Sequence, residues 1–153
     1  MGKEIERKFL VKGDLWRNAE GIWCRQGYLN GDRERTVRVR TLGDQGFITV
    51  KGVMEGLTRL EFEYRIPLSD AEKMLSQLCE QPFIEKRRFR VPCGATVFEV
   101  DEFFGKNSGL ILAEVELESE NQPFERPEWL GKEVSGEPKY FNSNLFRHPY
   151  GDW

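Results

Sequence analysis

The first ten residues, MGKEIERKFL (residues 1–10), carry a charged side chain at every second position from Glu4 to Lys8, with Ile5, Arg7 and Phe9 on the opposite parity. If this stretch is a β-strand, Glu4, Glu6 and Lys8 lie on one face, because successive side chains point to opposite sides. Carboxylates about 7 Å apart along a strand can share a hard cation, and a neighbouring lysine can hold an anion bound to that cation. A solvated edge strand with its charges in water explains the same stretch, so recurrence of the pattern is the deciding observation.

The pattern recurs on six further predicted strands, and on each of the six the charged parity carries mainly charges of one sign. The predicted strands cover Cys24–Asn30, Glu34–Thr41, Phe47–Lys51, Leu57–Pro67, Phe83–Pro92, Thr96–Phe104 and Leu110–Ser119. The acidic positions are Glu61 and Glu63, Glu99 and Asp101, and Glu114 and Glu116. The basic positions are Arg38 and Arg40, Lys51, and Lys86, Arg88 and Arg90.

Two architectures fit this pattern. In an ordinary one-sided sheet, the apolar parity would pack on a core and the charged parity would face water. In a closed barrel, the charged parity would line the interior and the apolar parity would pack against helices outside. A charged interior is costly when its charges are unpaired, but it suits a highly charged anion together with its metal ions. The pattern alone leaves both architectures open.

The rest of the chain predicts one domain over residues 1–153, with few helices. An amphipathic helix begins at Ser69, which acts as its N-cap, with Glu72 at the capping-box position. Shorter helical segments are predicted at Asp14–Glu20, with Trp16 as an apolar anchor, near Pro127–Leu130, and at Asn142–Phe146.

Composition excludes several classes of function. With 23 basic and 26 acidic residues, the chain lacks the basic excess of a general nucleic-acid-binding protein. Cys24, Cys79 and Cys93 are widely spaced, which predicts reduced thiols in a cytoplasmic protein, and no stretch is long and apolar enough for a membrane span. Because the one histidine, His148, lies in the C-terminal tail, any metal ligands are expected to be oxygens.

Taken in order, the charged motifs resemble those of the CYTH family, the triphosphate tunnel metalloenzymes. EIERK resembles the ExExK motif of that family. The likeness continues through VRVR, TVKG, RLEFEY, EKRRF, FEVDEF, GLILAEVELE and the closing SGEPKYFNSNL. The resemblance covers nearly the whole chain and implies a mainly β fold: an eight-stranded antiparallel closed barrel with peripheral helices that forms a charged tunnel.

The resemblance also implies roles for individual residues. It places a divalent metal, Mg²⁺ or Mn²⁺, on Glu4, Glu6, Glu114 and Glu116, with Glu63 and Asp101 contributing to a second metal or to the placement of water. It makes phosphate ligands of Lys8, Arg38, Arg40, Lys51, Lys86, Arg88 and the tunnel-closing Lys139. The catalytic set is then Glu4, Glu6, Lys8, Lys86, Glu114 and Glu116.

The activity implied is hydrolysis of a triphosphate to diphosphate and phosphate, with inorganic tripolyphosphate first among the substrates. Thiamine triphosphate and nucleoside triphosphates are alternatives, as are cyclisation of ATP, known for adenylyl cyclases of this fold, and non-catalytic binding of polyphosphate. No nucleic-acid or membrane partner is expected. A homodimer is expected if the apolar outer residues of two strands need more cover, namely Val37, Val39, Leu60, Phe62 and Tyr64.

Two features depart from the family pattern. Arg87 has outward parity, where a small or polar residue is expected, and the tail FRHPYGDW extends further than short members of the family. The extended tail puts the tunnel-closing role of Lys139 in doubt.

Overall fold

In the computed structural model, residues 2–17, 20–32 and 34–153 are described, and they form nine strands and two helices. The strands are β1 (Lys3–Val11), β2 (Ile22–Asn30), β3 (Thr36–Leu42), β4 (Gln45–Lys51), β5 (Thr58–Ile66), β6 (Ile84–Cys93), β7 (Thr96–Phe103), β8 (Ile111–Glu116) and β9 (Leu130–Glu133). The helices are α1 (Leu68–Gln77) and α2 (Asn142–Arg147), and single 3₁₀ turns cover Gly105–Asn107, Pro138–Tyr140 and Tyr150–Asp152.

Eight of these strands close into a barrel in which every neighbouring pair is antiparallel. The order around the barrel is β1-β5-β4-β3-β2-β6-β7-β8, and β8 returns to β1. Closure depends on β1, whose residues Lys3–Ile5 pair with β5 while Glu6–Leu10 pair with β8. The predicted eight-stranded antiparallel barrel is confirmed, and β9 is an addition to it.

The short strand β9 replaces a helix that the sequence predicts near Pro127–Leu130. That prediction is wrong: the backbone N–H of Leu130 donates to the carbonyl of Pro127 in a single turn, and the chain then extends along β1. The physical reason is the edge of β1, which β5 leaves unpaired beyond Ile5. Strand β9 pairs at Phe9 and Val11 and so covers that edge.

The outer face of β1, β6, β7 and β8 is covered by the segments that follow β1 and β8. Trp16 and Phe98 are fully buried in this layer, and the Trp129 ring meets Phe98 edge-on with 5.4 Å between centroids. Trp16 is therefore an apolar anchor, as predicted. It lies in a turn, not in a helix: the backbone N–H of Arg17 donates to the Asp14 carbonyl. The helix predicted at Asp14–Glu20 is wrong for residues 14–17, and Asn18 and Ala19 lie outside the described residues.

Helix α1 covers the outside of β2, β3 and β4. Ala71 and Leu75 are buried against Val39. Val39 was predicted to need cover from a second subunit, but α1 buries it fully. Gly27 allows the close approach, since a Cβ there would lie 3.0 Å from the Cys79 Cβ and 3.1 Å from Leu75. The helix thus fixes the wall that carries Arg38 and Arg40 inside.

The start of α1 differs from the prediction. The helix begins at Leu68, its N-cap is Pro67 with φ −56° and ψ 138°, and no side chain caps it. Ser69 is therefore not the N-cap, and the predicted capping box is wrong. The carbonyl of Pro67 accepts from the backbone N–H groups of Asp70 and Ala71, at 3.0 and 3.1 Å, so the first turn of the helix closes on Pro67 and not on Ser69.

An apolar cluster fills the interior at one end of the barrel. Inward-facing residues of β2, β6, β7 and β8 pack there against Val134, Tyr140 and Leu145 of the C-terminal segment. The barrel residues of the cluster are Tyr28, Ile84, Phe103 and Leu112. The predicted helix at Asn142–Phe146 is confirmed as α2, which presents Leu145 to this cluster. The cluster bounds the charged part of the interior.

Candidate active site

The barrel interior contains a cavity of about 330 Å³ with a mostly charged lining. Because side chains alternate along a strand, the strands contribute every second residue to the lining. The structure brings together most of the predicted site residues: Glu4, Glu6, Lys8, Arg38, Arg40, Lys51, Glu63, Lys86, Arg88, Glu114 and Glu116 line this cavity. Asp101 and Lys139 do not line it and are treated below.

Three guanidinium groups crowd one part of the wall. Burial lowers the pKa of Arg40, and the positive charges of Arg38 and Arg88 lower it further. The Nε atoms of Arg38 and Arg40 are buried and have no hydrogen-bond partner among the described residues. Unpaired buried donors and repelling cations both cost free energy. An anion accepting hydrogen bonds at this point would relieve both costs.

Glu63 is the carboxylate that faces these arginines. It lies 3.4 Å from Arg40 Nη2 and 3.7 Å from Arg38 Nη2, and Thr49 Oγ1 donates a hydrogen bond to it at 2.7 Å. Burial opposes ionisation of Glu63, but the charge of Arg40 and the hydrogen bond from Thr49 outweigh it and lower its pKa. One carboxylate cannot balance two guanidinium groups, so the wall keeps an excess of positive charge.

Asp101 lies behind the wall, where it binds two of the predicted phosphate ligands. Its carboxylate accepts two hydrogen bonds from Arg88, at 2.8 and 2.9 Å, and one ion pair from Lys86 Nζ at 2.9 Å. Asp101 and Lys86 are each 1% exposed. Burial would raise the pKa of Asp101, but Arg88 and Lys86 lower it. Asp101 therefore holds the two cations in position.

The acidic part of the lining comes from β1 and β8. Glu4 accepts from Lys51 Nζ at 3.2 Å, and Glu114 lies 3.5 Å from Lys8 Nζ. Burial would raise the pKa of both carboxyls, but Lys51 and Arg59 lower that of Glu4, and Lys8 lowers that of Glu114. Both are carboxylates held by lysines.

Glu6 and Glu116 occupy directly opposite positions on β1 and β8. Burial and the nearby charges of Glu114 and Glu4 raise the pKa of Glu6 well above its usual value. Burial and the charges of Glu4 and Glu99 also raise that of Glu116. Like charges placed opposite each other on paired strands repel. This part of the cavity therefore has excess negative charge.

The carboxylates of this acidic cluster are a donor set for a hard divalent cation. Oxygen ligands suit Mg²⁺ and Mn²⁺, and a cation would relieve the repulsion that raises the pKa of Glu6. In residues 2–17, 20–32 and 34–153, no group of three His, Cys, Asp or Glu side chains is arranged to hold a metal as it stands. The chemistry of Glu4, Glu6, Glu114 and Glu116 fits a divalent metal. Two of these carboxylates are at present paired with lysines, Glu4 with Lys51 and Glu114 with Lys8.

The C-terminal segment completes the lining, which the sequence pattern did not predict. Phe141, Asn142 and Ser143 line the cavity. The Tyr140 carbonyl accepts from Lys8 Nζ at 3.2 Å, and Asn142 Oδ1 accepts from Lys86 Nζ at 3.4 Å. A turn and the start of a helix have no period-2 alternation, so the parity of strands could not reveal them.

Lys139 belongs to this segment but points elsewhere. Its ammonium lies 4.6 Å from the centroid of the Trp153 ring and 5.3 Å from that of Tyr140, and the residue is exposed. Arg87 also lies outside the cavity, stacked 5.4 Å from the centroid of Trp23 and donating to the Gly21 carbonyl. Its outward parity is thus explained by an aromatic partner on the barrel surface.

Four further charged residues line the cavity without being among the predicted site residues. They are Arg59, Glu61, Arg90 and Glu99. Lys51 Nζ lies 3.0 Å from Glu61, and Arg88 Nη1 lies 3.5 Å from Glu99. Parity already placed Glu61, Arg90 and Glu99 on the charged faces of their strands, but the family resemblance assigned site roles to Glu63 and Asp101 and not to these residues.

Comparison with known proteins agrees with this geometry. The model of the CYTH domain matches residues 2–150. The chain is 50% identical over 151 residues to an inorganic triphosphatase of Acetivibrio thermocellus, covering 98% of this chain and 97% of that one. It is 39% identical over 147 residues to an inorganic triphosphatase of Nitrosomonas europaea, covering 93% and 95% of the two chains.

A solved structure of a relative has the same fold. The crystal structure of an inorganic triphosphatase superimposes with a TM-score of 0.66 at 35% identity, covering 93% of this chain and 96% of that one. The family resemblance seen in the charged motifs is therefore confirmed along nearly the whole sequence. This chain belongs to the CYTH domain family.

Proposed function

We propose that this protein hydrolyses inorganic triphosphate to diphosphate and phosphate inside the barrel. The observation that carries the proposal is the cavity's division of charge. Arg38 and Arg40 present unpaired buried N–H groups and excess positive charge, while Glu6 and Glu116 lie in a region of excess negative charge. A polyanion that brings a divalent cation with it balances both regions at once.

The basic residues bind and orient the phosphates. Arg38, Arg40 and Arg88 offer planar N–H donors to phosphate oxygens, and Lys8, Lys51 and Lys86 supply ammonium groups around them. Asp101 fixes Lys86 and Arg88, which are predicted to act on the substrate. Lys139 is outside this proposal because its ammonium stacks on Trp153.

The acidic residues Glu4, Glu6, Glu114 and Glu116 would hold the divalent cation, Mg²⁺ or Mn²⁺. When bound, such a cation neutralises phosphate charge and activates water as a nucleophile. In the reaction, the water oxygen forms a bond to the terminal phosphorus, the bond to the bridging oxygen breaks, diphosphate leaves with the electron pair, and the proton that water loses passes to bulk solvent. Basic side chains that line the cavity are already fixed in place, so they would stabilise the charge developing on the leaving group without reorganising.

The test is release of phosphate from tripolyphosphate, thiamine triphosphate and ATP, each with Mg²⁺, with Mn²⁺ and with EDTA. We expect metal-dependent release that is fastest from tripolyphosphate. Glu6→Gln should lower the rate by at least about 100-fold if Glu6 holds the metal. The control is Glu118→Gln, which should keep the activity of the wild type, because Glu118 is exposed and lies outside the cavity, two residues after Glu116. Binding of triphosphate without turnover, or cyclic AMP as the product from ATP, would contradict the proposal.

The proposal also includes the cellular compartment, the cytoplasm. Cys24, Cys79 and Cys93 are all free thiols, which fits the reducing cytoplasm. In the part of the chain that the structure describes, no helix is long and apolar enough to cross a membrane. The expected partner is the small triphosphate substrate itself.

A further inference from the structure

We propose that the terminal turn of the chain, Tyr150–Trp153, positions Lys8 and Lys86 in the cavity. The inference rests on the proposed function, which assigns both lysines to the phosphates. Only Tyr150 of this turn falls within the match to the CYTH domain, which ends there. The turn does not line the cavity, so it acts through other residues.

The first step of the argument is the contact of Trp153 with Tyr140. The two rings meet edge-on at 5.2 Å with 80° between their planes, and Trp153 packs on Tyr150 at 5.0 Å in the same way. Trp153 Nε1 also donates to the His148 carbonyl at 3.2 Å. Edge-on aromatic pairs have a preferred geometry and contribute stability beyond their buried area. Trp153 thus fixes the Tyr140 side chain from outside.

The second step is the attachment of the turn to the barrel. The backbone N–H of Tyr150 donates to Asn107 Oδ1 at 2.8 Å, and Asn107 is buried. Gly151 lies against the Lys106 carbonyl so closely that a Cβ would lie 2.8 Å from that oxygen. Residues 106 and 107 belong to the 3₁₀ turn between β7 and β8. The terminal turn is therefore attached to the barrel wall at one side and to Tyr140 at the other.

The third step joins Tyr140 to the lysines. The Tyr140 carbonyl accepts from Lys8 Nζ at 3.2 Å, and the Phe141 ring centroid lies 5.8 Å from the same ammonium. Two residues after Tyr140, Asn142 Oδ1 accepts from Lys86 Nζ at 3.4 Å. Lys8 and Lys86 are almost completely buried. A shift of Tyr140 moves the acceptors of both ammonium groups.

This connection gives the residues that follow α2 a role in the site. A lysine has a flexible stem and three donors, so its ammonium has a defined place only when acceptors fix it. Lys8 and Lys86 each have one carboxylate and one acceptor from the C-terminal segment. Trp153 and Tyr150 are thus positioning residues for two phosphate-binding cations.

The experiment measures steady-state kinetics on tripolyphosphate and calorimetric binding of tripolyphosphate in EDTA. It compares the wild type with Trp153→Ala, Trp153→Phe and Leu78→Ala. Leu78 is 67% exposed and follows α1, so its variant controls for loss of an exposed apolar side chain. Thermal unfolding is recorded for all four proteins to keep the assay temperature well below every midpoint.

We expect Trp153→Ala to raise KM and weaken binding about tenfold, the loss expected when one charge-assisted hydrogen bond is misplaced. Trp153→Phe keeps an aromatic edge for Tyr140 and should restore values close to the wild type. Leu78→Ala should match the wild type. A Trp153→Ala enzyme with a lower unfolding midpoint but unchanged KM and affinity would overturn the inference, since the turn would then act on stability alone. An inactive wild type would instead overturn the proposed function.

Discussion

At the scale of single residues, Arg40 is expected to serve the binding of phosphate while contributing little to the stability of the fold. Burial and the charges of Arg38 and Arg88 lower its pKa, so the folded protein holds this cation at a cost. We expect Arg40→Met to change the free energy of unfolding by no more than about 1 kcal/mol, because the change removes a buried cation that Arg38 and Arg88 repel, while Arg38 stays beside Glu63 to pair with it. The same change should raise KM for tripolyphosphate at least about tenfold.

Urea denaturation and steady-state kinetics test this pair of effects. The matched control is Arg25→Met on β2, because the Arg25 side chain is 56% exposed and lies 3.9 Å from Glu85 on the outer surface. Arg25→Met should change neither the free energy of unfolding nor KM for tripolyphosphate measurably. A clear loss of stability in Arg40→Met would mean that Glu63 balances the arginines better than their crowding indicates.

Replacing Asp101, unlike replacing Arg40, should clearly lower the free energy of unfolding. Its carboxylate holds Lys86 and Arg88 in a buried place. Asp101→Asn leaves both cations without their main counter-charge, so we expect a loss of about 3–5 kcal/mol in the free energy of unfolding. Denaturant unfolding measures it.

The adjacent Glu102 is the control for Asp101. It faces outward and pairs with Arg17, whose side chain is 42% exposed. Glu102→Gln should cost less than about 1 kcal/mol, because exposed ion pairs contribute little. Equal losses in the two variants would show that Asp101 is no more important to the fold than a surface carboxylate.

Parity and the family resemblance together predicted most of the cavity lining. Parity put Glu6 and Arg40 on the charged faces of their strands, and the resemblance implied the closed barrel that brings those faces inside. Parity also placed Asp101 inward, but it could not distinguish a carboxylate facing the cavity from one covered by two cations. The contribution of Asn142 depends on how the C-terminal segment crosses the barrel, which no local pattern encodes.

At the scale of elements, helix α1 shows how local signals mislead. Ser69 and Glu72 have capping-box spacing, yet the helix begins one residue earlier, after Pro67. Because Ser69 is exposed and inside the first turn, Ser69→Ala should leave stability unchanged or raise it by less than about 0.5 kcal/mol. A true N-cap serine would cost about 1 kcal/mol on the same change.

Leu75 of the same helix provides the contrasting measurement. It is 3% exposed and packs with Val39 and Ala71 between α1 and the barrel. Leu75→Ala should cost about 2–5 kcal/mol, because it leaves a cavity in that contact. Thermal or urea unfolding compares the two variants, and a larger loss for Ser69→Ala would show that the serine caps the helix after all.

Strand β9 shows the limit of local propensity. Pro127 and the residues after it read as a short helix, but the free edge of β1 decides the outcome, because the hydrogen-bonding groups of an unpaired strand edge need partners. That edge becomes visible only when the registers of β1 with β5 and β8 are known.

At the scale of the whole molecule, one apolar surface is only about half covered by the residues that the structure describes. Leu60, Phe62 and Tyr64 are 55%, 46% and 61% exposed on the outer face of β5. The homodimer expected from the sequence stays a prediction, and β5 is the surface on which it would form, since Val39 is covered by α1. We expect sedimentation to show a dimer that Phe62→Lys converts to a folded, active monomer. A monomeric wild type would contradict this.

The closure of the barrel through β1 has a consequence for how the chain is made. Strand β1 is synthesised before all of its partners, which lie at residues 58–60, 112–116 and 130–133, so its pairing is complete only after β9 has been made. Until then, the hairpins in between can form but cannot enclose anything, and every contact of β1 closes a long loop. Closure of the barrel is therefore a late step in the folding of this domain, and β1 keeps an unpaired edge until β8 and β9 have been made.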